Sequence, residues 1–187
     1  RVVTEQRGQY RLHGEEGALR AHPPVGMRRK TDSLEKPGVG DWVAVAPARS
    51  GLPSIAALLP RRTALTRQAA GERAESQLVA ANLDVVFVVT SMNQDFNLRR
   101  LERYLVIAKA SGAKPVLVLN KTDLVAEERA RFVDSVGEVA AGVEIVATSA
   151  VTAEGIERLR TYLAPGRTVG LIGSSGVGKS SLVNHLI

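Results

Sequence analysis

Residues 168–181 read Thr168-Val169-Gly170-Leu171-Ile172-Gly173-Ser174-Ser175-Gly176-Val177-Gly178-Lys179-Ser180-Ser181. An apolar run that opens into glycines and closes on Lys-Ser is predicted to be a buried strand over 168–172, a loop, and a helix beginning near Lys179. Gly173, Gly176 and Gly178 permit backbone angles and close approaches that a side chain would obstruct. The N–H groups of residues 173–178, Ser174, Ser175 and Val177 among them, can then turn inward around the α- and β-phosphates of a nucleotide. The helix N-terminus behind them adds a favourable dipole. In this reading Lys179 reaches the β- and γ-phosphates, the Ser180 hydroxyl binds Mg²⁺, and the Ser181 amide faces the α-phosphate. The plain alternative is a flexible Gly/Ser turn, which the flanking strand and helix disfavour.

Asn120-Lys121-Thr122-Asp123 follows another apolar run, Val116-Leu117-Val118-Leu119. The Asp123 carboxylate can accept two hydrogen bonds, matching the ring N–H and exocyclic amine of guanine. Adenine lacks that pair of donors. Asn120 can bond the imidazole edge of the base and brace the phosphate loop, and the Lys121 stem can cover one face of the ring. The tetrapeptide gains weight from its place after a buried strand, where ligands of such sheets bind. Thr148-Ser149-Ala150, after the next expected strand, fits a backbone contact from Ser149 and Ala150 to the guanine oxygen.

The order of these motifs is inverted. In Ras-like GTPases the phosphate loop opens the domain and the base reader comes late, whereas here the base reader lies upstream. Such an order is that of a circularly permuted GTPase. Asp134-Ser135-Val136-Gly137 matches the D-x-x-G pattern of a GTPase switch but falls within an expected helix, so it is read as a decoy.

Around these motifs strands alternate with helices. A strand is expected over 84–89, then a helix placing Leu98, Leu101, Leu105 and Ala108 on one side, capped by Asn97 and ended by Gly112. A helix over 126–141, a strand over 143–148 and a helix over 154–163 follow. This pattern predicts a mostly parallel α/β sheet with helices on both faces. The first third differs, with short apolar stretches punctuated by Gly8, Gly14, Gly17, Pro23-Pro24, Pro37-Gly38 and Gly51. Strands over 39–45 and 55–59 and an exposed loop over 28–33 suggest a small β-barrel. Residues 60–75 read as a polar, Arg-rich connector, and the domain boundary is drawn between 72 and 73.

The 187 residues carry a formal net charge of +6 and no Cys. Residues 1–73 hold 13 Lys/Arg against 7 Asp/Glu, while the remainder is balanced at 12 and 12. A basic N-terminal third favours a polyanion, because each neutralised phosphate releases counterions. A solvated basic surface is the bland alternative. Without Cys there are no disulfides or thiolate metal sites, which fits a reducing cytoplasm. No apolar run reaches membrane-span length and no signal-peptide pattern is present. His13, His22 and His185 are scattered and do not suggest a metal site. Trp42 and Tyr10 could stack on bases, but read first as barrel or interface residues.

These residues resemble the ribosome small subunit-dependent GTPase A family of bacterial permuted GTPases. The carrying stretches are Val39-Gly40-Asp41-Trp42-Val43, Arg61-Arg62-Thr63-Ala64-Leu65-Thr66-Arg67, Ala80-Ala81-Asn82-Leu83-Asp84 and Asp95-Phe96-Asn97-Leu98-Arg99-Arg100-Leu101, with the base reader and the phosphate loop. The resemblance implies an N-terminal OB-fold at 1–72, a permuted GTPase domain from 73, and a C-terminal zinc-binding domain. It implies GTP/GDP and Mg²⁺ as ligands, with Zn²⁺ held beyond this chain. It further implies binding to the small ribosomal subunit and its rRNA late in maturation, and GTP hydrolysis stimulated by the subunit. No membrane partner and a monomer are expected.

Arg1 is not an initiator Met, and only seven residues follow Ser180. Both switch segments, two sheet strands and the zinc ligands are therefore expected beyond Ile187. The chain by itself is expected to be inactive, with Lys179 as its one nameable catalytic group, offsetting charge on the phosphates. Two rivals remain: an RNA-binding module that senses GTP/GDP without turnover, and a P-loop kinase or ATPase.

Overall fold

In the computed structural model all residues are described except 7, 25, 27–33, 49, 69–75 and 126–127. The loop expected over 28–33 lies outside the described residues. Two compact units divide the chain, Arg1–Leu83 and Asp84–Ile187.

The first unit is antiparallel β. Strands β1 (Val2–Gln6), β2 (Gln9–Gly14) and β3 (Gly17–Ala21) form one sheet in that order. β4 (Val43–Ala46) pairs with β5 (Ser54–Leu58), and β6 (Ala64–Gln68) pairs with β7 (Ser76–Ala81). Backbone hydrogen bonds link the three pieces: Val2 N–H to Asp41 O, Ile55 N–H to His22 O, and Ala81 N–H to Val39 O. β2 alternates as a half-buried strand should, Tyr10 and Leu12 inward, Gln9, Arg11 and His13 outward. Val2, Tyr10, Leu12, Ala21 and Ile55 make the core. Tyr10 is a core residue, and burial pushes its phenol up to about 12. Trp42 is half exposed, with the Arg1 guanidinium 5.4 Å from its ring centroid.

A buried ion pair holds this unit's loops. Asp41 is fully buried and receives Arg61 in a fork: Nε to Oδ1 at 2.8 Å, Nη2 to Oδ2 at 2.7 Å. The Gly38 amide adds a bond to Oδ2 at 2.8 Å, and Arg61 also donates to the carbonyls of Leu34 and Lys36. Every charge-bearing atom of the carboxylate is thereby matched.

Within the stretch 60–75 expected to be a connector, residues 64–68 are a strand, and 69–75 lie outside the described residues. Residues 64–68 and 76–81 pair as β6 and β7, so the division falls at Leu83/Asp84 rather than at 72/73. Arg-rich composition hid the apolar positions: only Leu65 and Ala81 are buried in this pair. The strand expected over 39–45 begins only at Val43, because 39–42 turn at Gly40 to meet β1.

The second unit is a parallel sheet in the order β10-β9-β8-β11. It comprises β8 (Val85–Ser91), α1 (Leu98–Ala110), β9 (Lys114–Asn120), a 3₁₀ turn (Thr122–Leu124), α2 (Arg129–Gly137), β10 (Glu144–Ala147), α3 (Ile156–Arg160), β11 (Val169–Ile172) and α4 (Lys179–Leu186). β8 and β9 are near-continuous apolar runs because both faces are covered. Val85, Phe87, Val89, Val116 and Val118 pack with Ile156, Leu159, Val177 and Leu182. The alternate residues Val86, Val88, Leu117 and Leu119 are equally buried, and α1 packs on β8 and β9 with Leu101, Leu105 and Ala108. The Asn97 side chain caps α1 by accepting from Arg100 N–H, as expected. α2 and α3 are shorter than expected, and residues 126–127 lie outside the described residues. Asp134 and Gly137 sit in α2, consistent with a decoy.

β11 differs from its expectation in one respect. All four of its residues are half-buried, with β8 as its neighbour among the described strands. The chain adds β9 and then β10 on one side of β8, then returns to place β11 on the other. That reversal makes the β8/β11 boundary a switch point, where the carboxyl ends of parallel strands open a crevice.

Candidate nucleotide-binding site

Three of the loops at the carboxyl edge of the sheet carry the motifs: residues 173–178 after β11, 121–125 after β9, and 148–155 after β10. The fold brings Asn120, Asp123, Ser149 and the glycine-rich loop together although the last lies far downstream. Asn120, almost fully buried, makes the connection. Its Nδ2 donates to Val177 O at 2.9 Å, and its Oδ1 accepts from the Thr148 hydroxyl at 3.1 Å. The amide is thus oriented by two partners, one of them in the phosphate loop.

Asp123 is exposed but held. Ser149 Oγ donates to Asp123 Oδ1 at 2.5 Å and accepts from the N–H groups of Val151 and Thr152 at 3.1 Å each. Two backbone amides therefore fix a hydroxyl that fixes a carboxylate. Asp123 Oδ2 makes no hydrogen bond among the described residues. Lys121 adopts a left-handed conformation, φ 68° and ψ 40°, and turns the chain out of β9. Thr122 N–H donates to Thr148 O, and Thr122 Oγ1 donates to Glu154 at 2.7 Å. Glu154 also receives Arg129. The Thr122 hydrogen bond, followed by that of Arg129, holds the Glu154 carboxyl below its usual range.

The phosphate loop itself admits only glycine at two points. Gly173 has φ +148°, and a Cβ there would lie 2.2 Å from Val89 O. Gly178 has φ +96°, and a Cβ would lie 2.2 Å from Asn120 Nδ2. Such a close-wrapped backbone, entering α4 at Lys179, suits a phosphate chain. Lys179 Nζ folds over the loop and donates to the carbonyls of Gly173 at 2.9 Å and Ser174 at 2.6 Å. Ser175, Gly176, Ser180 and Ser181 are exposed, while Val177 is buried and anchors the loop to the core.

Glu154 and His185 were not singled out by the sequence as parts of this site, and Thr148 was named in its motif without a side-chain role. His185 Nε2 donates to Ala150 O at 2.7 Å, tying α4 to the loop after β10. Ser149 was expected only for its backbone, yet its side chain orients Asp123. A separate cleft of about 580 Å³, lined by residues including Met92, Asp95, Leu124 and Phe132, shares none of the motif residues.

Gly178→Ala tests the packing. Left-handed strain in a non-glycine residue costs about 1–3 kcal/mol, and the new methyl would push Asn120 off Val177. We expect GDP affinity to fall by about ten- to a hundredfold, measured by calorimetric titration. An unchanged affinity would mean that this contact is not made in the bound form.

Comparison with known proteins places these features in a family. The RsgA GTPase family profile matches residues 58–187. The chain is 50% identical over 154 residues to the small ribosomal subunit biogenesis GTPase RsgA of Methanosarcina acetivorans, covering 82% of this chain and 42% of that protein. It is 39% identical over 193 residues to that of Syntrophotalea carbinolica, covering 100% and 53%. Among solved structures, YjeQ from Thermotoga maritima superposes with a TM-score of 0.75 at 32% identity, over 99% of this chain and 63% of that one. YloQ, a circularly permuted GTPase, shares the fold with a TM-score of 0.63 at 24% identity, over 98% and 62%. The chain spans about half the length of the curated relatives it matches. With the inverted motif order and a sheet that reunites the two motifs, the chain belongs to the RsgA GTPase family.

Proposed function

We propose that this chain is the guanine- and phosphate-binding part of a GTPase that assists maturation of the small ribosomal subunit in the cytoplasm. The observation that carries the reading is the Asn120–Val177 hydrogen bond, which locks the base reader to the phosphate loop. Asp123, held by Ser149, would accept the two N–H donors of guanine. Ala150 N–H, beside a carbonyl already engaged by His185, would donate to the guanine oxygen.

The amides of residues 173–178 would wrap the α- and β-phosphates. Lys179 would exchange its two carbonyl acceptors for phosphate oxygens, which are stronger partners for an ammonium group. Ser180 is exposed, and its Oγ would hold Mg²⁺, which neutralises developing charge on the phosphates. Among the described residues no cluster of His, Cys, Asp or Glu could hold a metal, so Ser180 is the side chain of this chain offered to Mg²⁺. The zinc implied by the resemblance finds no cysteine here.

The basic first unit would bind rRNA, and GTP would favour the subunit-bound form of a monomeric factor. The test is GTP turnover with and without small ribosomal subunits. It is run on the chain alone and on a chimaera that adds the remaining length of a relative. The chain alone is expected to bind GTP with negligible turnover, and the chimaera to be stimulated by roughly a hundredfold or more. Binding without any stimulated turnover would favour a nucleotide sensor instead.

A further inference from the structure

Outside the nucleotide site, the outer face of the β1–β2–β3 sheet carries an arrangement that folding alone does not favour. Arg11 on β2 and Arg20 on β3 are direct register partners. Cross-strand partners of this kind have Cβ atoms about 4.5–5.5 Å apart, and like charges there repel. Among the described residues neither guanidinium has a carboxylate or any other hydrogen-bond partner. Elsewhere in the unit, Arg61 is matched by Asp41, and Arg67 is bonded to Gln77. Gln6 and Gln9, themselves register partners, complete the lining of a cleft of about 280 Å³ around the two arginines. Thr4 lies opposite Arg11 on β1, and its buried hydroxyl makes no hydrogen bond among the described residues.

We propose that this cleft seats a phosphodiester group of an RNA strand, with Arg11 and Arg20 as its clamp. The proposal rests on the RNA-binding reading of the first unit and assigns it a place. Two adjacent guanidinium groups offer parallel N–H forks that fit the oxygens of one phosphate or two successive ones. The glutamine amides can donate to a phosphate oxygen and accept from a ribose hydroxyl. A shallow cleft lined by four polar side chains suits a backbone better than a base, which would want an aromatic platform. Solvent and salt screen part of the repulsion between these exposed arginines, and an anion between them offsets the rest, so a cost to folding becomes a contribution to binding.

The experiment measures binding of the 187-residue chain to a single-stranded RNA oligonucleotide across a salt series. It compares wild type with Arg11→Gln/Arg20→Gln, Arg11→Lys/Arg20→Lys and the control Arg67→Gln. The double Gln variant is expected to bind about ten- to a hundredfold more weakly, with a salt slope shallower by about 1.4. The double Lys variant should keep most of the slope but lose affinity, because the fork geometry goes. Arg67→Gln should change neither by much. Thermal melting separates binding from folding: the double Gln variant should melt at or above the wild-type temperature.

Steep wild-type binding that the double Gln variant leaves intact, or that Arg67→Gln weakens equally, would overturn the clamp while sparing the RNA reading. Wild-type RNA binding that is negligible or flat in salt would overturn both. Inorganic phosphate and vesicles of anionic lipid serve as competitors. Competition by vesicles in the tens of micromolar, with free phosphate ineffective and RNA weak, would assign the cleft to a membrane surface and reject the proposal.

Discussion

Asp123→Asn should convert the chain from a guanine binder to a xanthine binder. Guanine presents two donors to Asp123, and an amide in that place offers one acceptor and one donor. Xanthine, with an oxygen where guanine has its exocyclic amine, matches the amide. The local structure favours a clean exchange. Ser149 Oγ donates to Oδ1, and it can donate equally to the carbonyl oxygen of Asn, leaving the NH₂ group directed at the base. GDP affinity should fall by at least about a hundredfold, since sites built to hydrogen-bond a ligand reject mismatches by up to roughly 10⁴–10⁵. XDP should become the preferred ligand. Competition against a fluorescent nucleotide measures both. A uniform loss for both nucleotides would show that Asp123 supports the loop rather than reads the base.

Asp41→Ala should be the most destabilising single change in the first unit. It leaves the Arg61 side chain, 14% exposed, without its carboxylate. Breaking a buried pair from one side costs about 3–5 kcal/mol, which is a large share of a stability of about 5–15 kcal/mol. The single Trp of the chain, Trp42, adjoins Asp41, so denaturant unfolding followed by its fluorescence reports on the right place. Asp41→Leu combined with Arg61→Met should cost much less than Asp41→Ala alone, because no buried charge is left unmatched. A loss under about 1 kcal/mol for Asp41→Ala would place the pair among ordinary surface bridges.

The parts of the site visible in the sequence are those where backbone geometry restricts residue type. Gly173 and Gly178 stand where a Cβ would strike Val89 O or Asn120, so the spacing of glycines carries the information. The run from Val85 to Val89 was equally legible, because burial on both faces demands apolar residues throughout. Relations between distant side chains were not legible. Ser149 as the orienter of Asp123, Thr148 as the orienter of Asn120, and His185 as the tie to Ala150 depend on tertiary proximity, and Ser, Thr and His are common enough to carry no signal alone. β6 and β7 were missed because their exposed positions, Val79 apart, are Arg, Gln and Ser, and a register shift between Leu65 and Thr66 interrupts their alternation.

The central claim is that two motifs in inverted order form one guanine-nucleotide site. Calorimetric titration of the 187-residue chain with GDP and with ADP tests it most directly, since base reader and phosphate loop both lie within it. The account predicts saturable binding of GDP, with ADP weaker by about a thousandfold or more. Equal affinity for the two, or binding of neither, would contradict it.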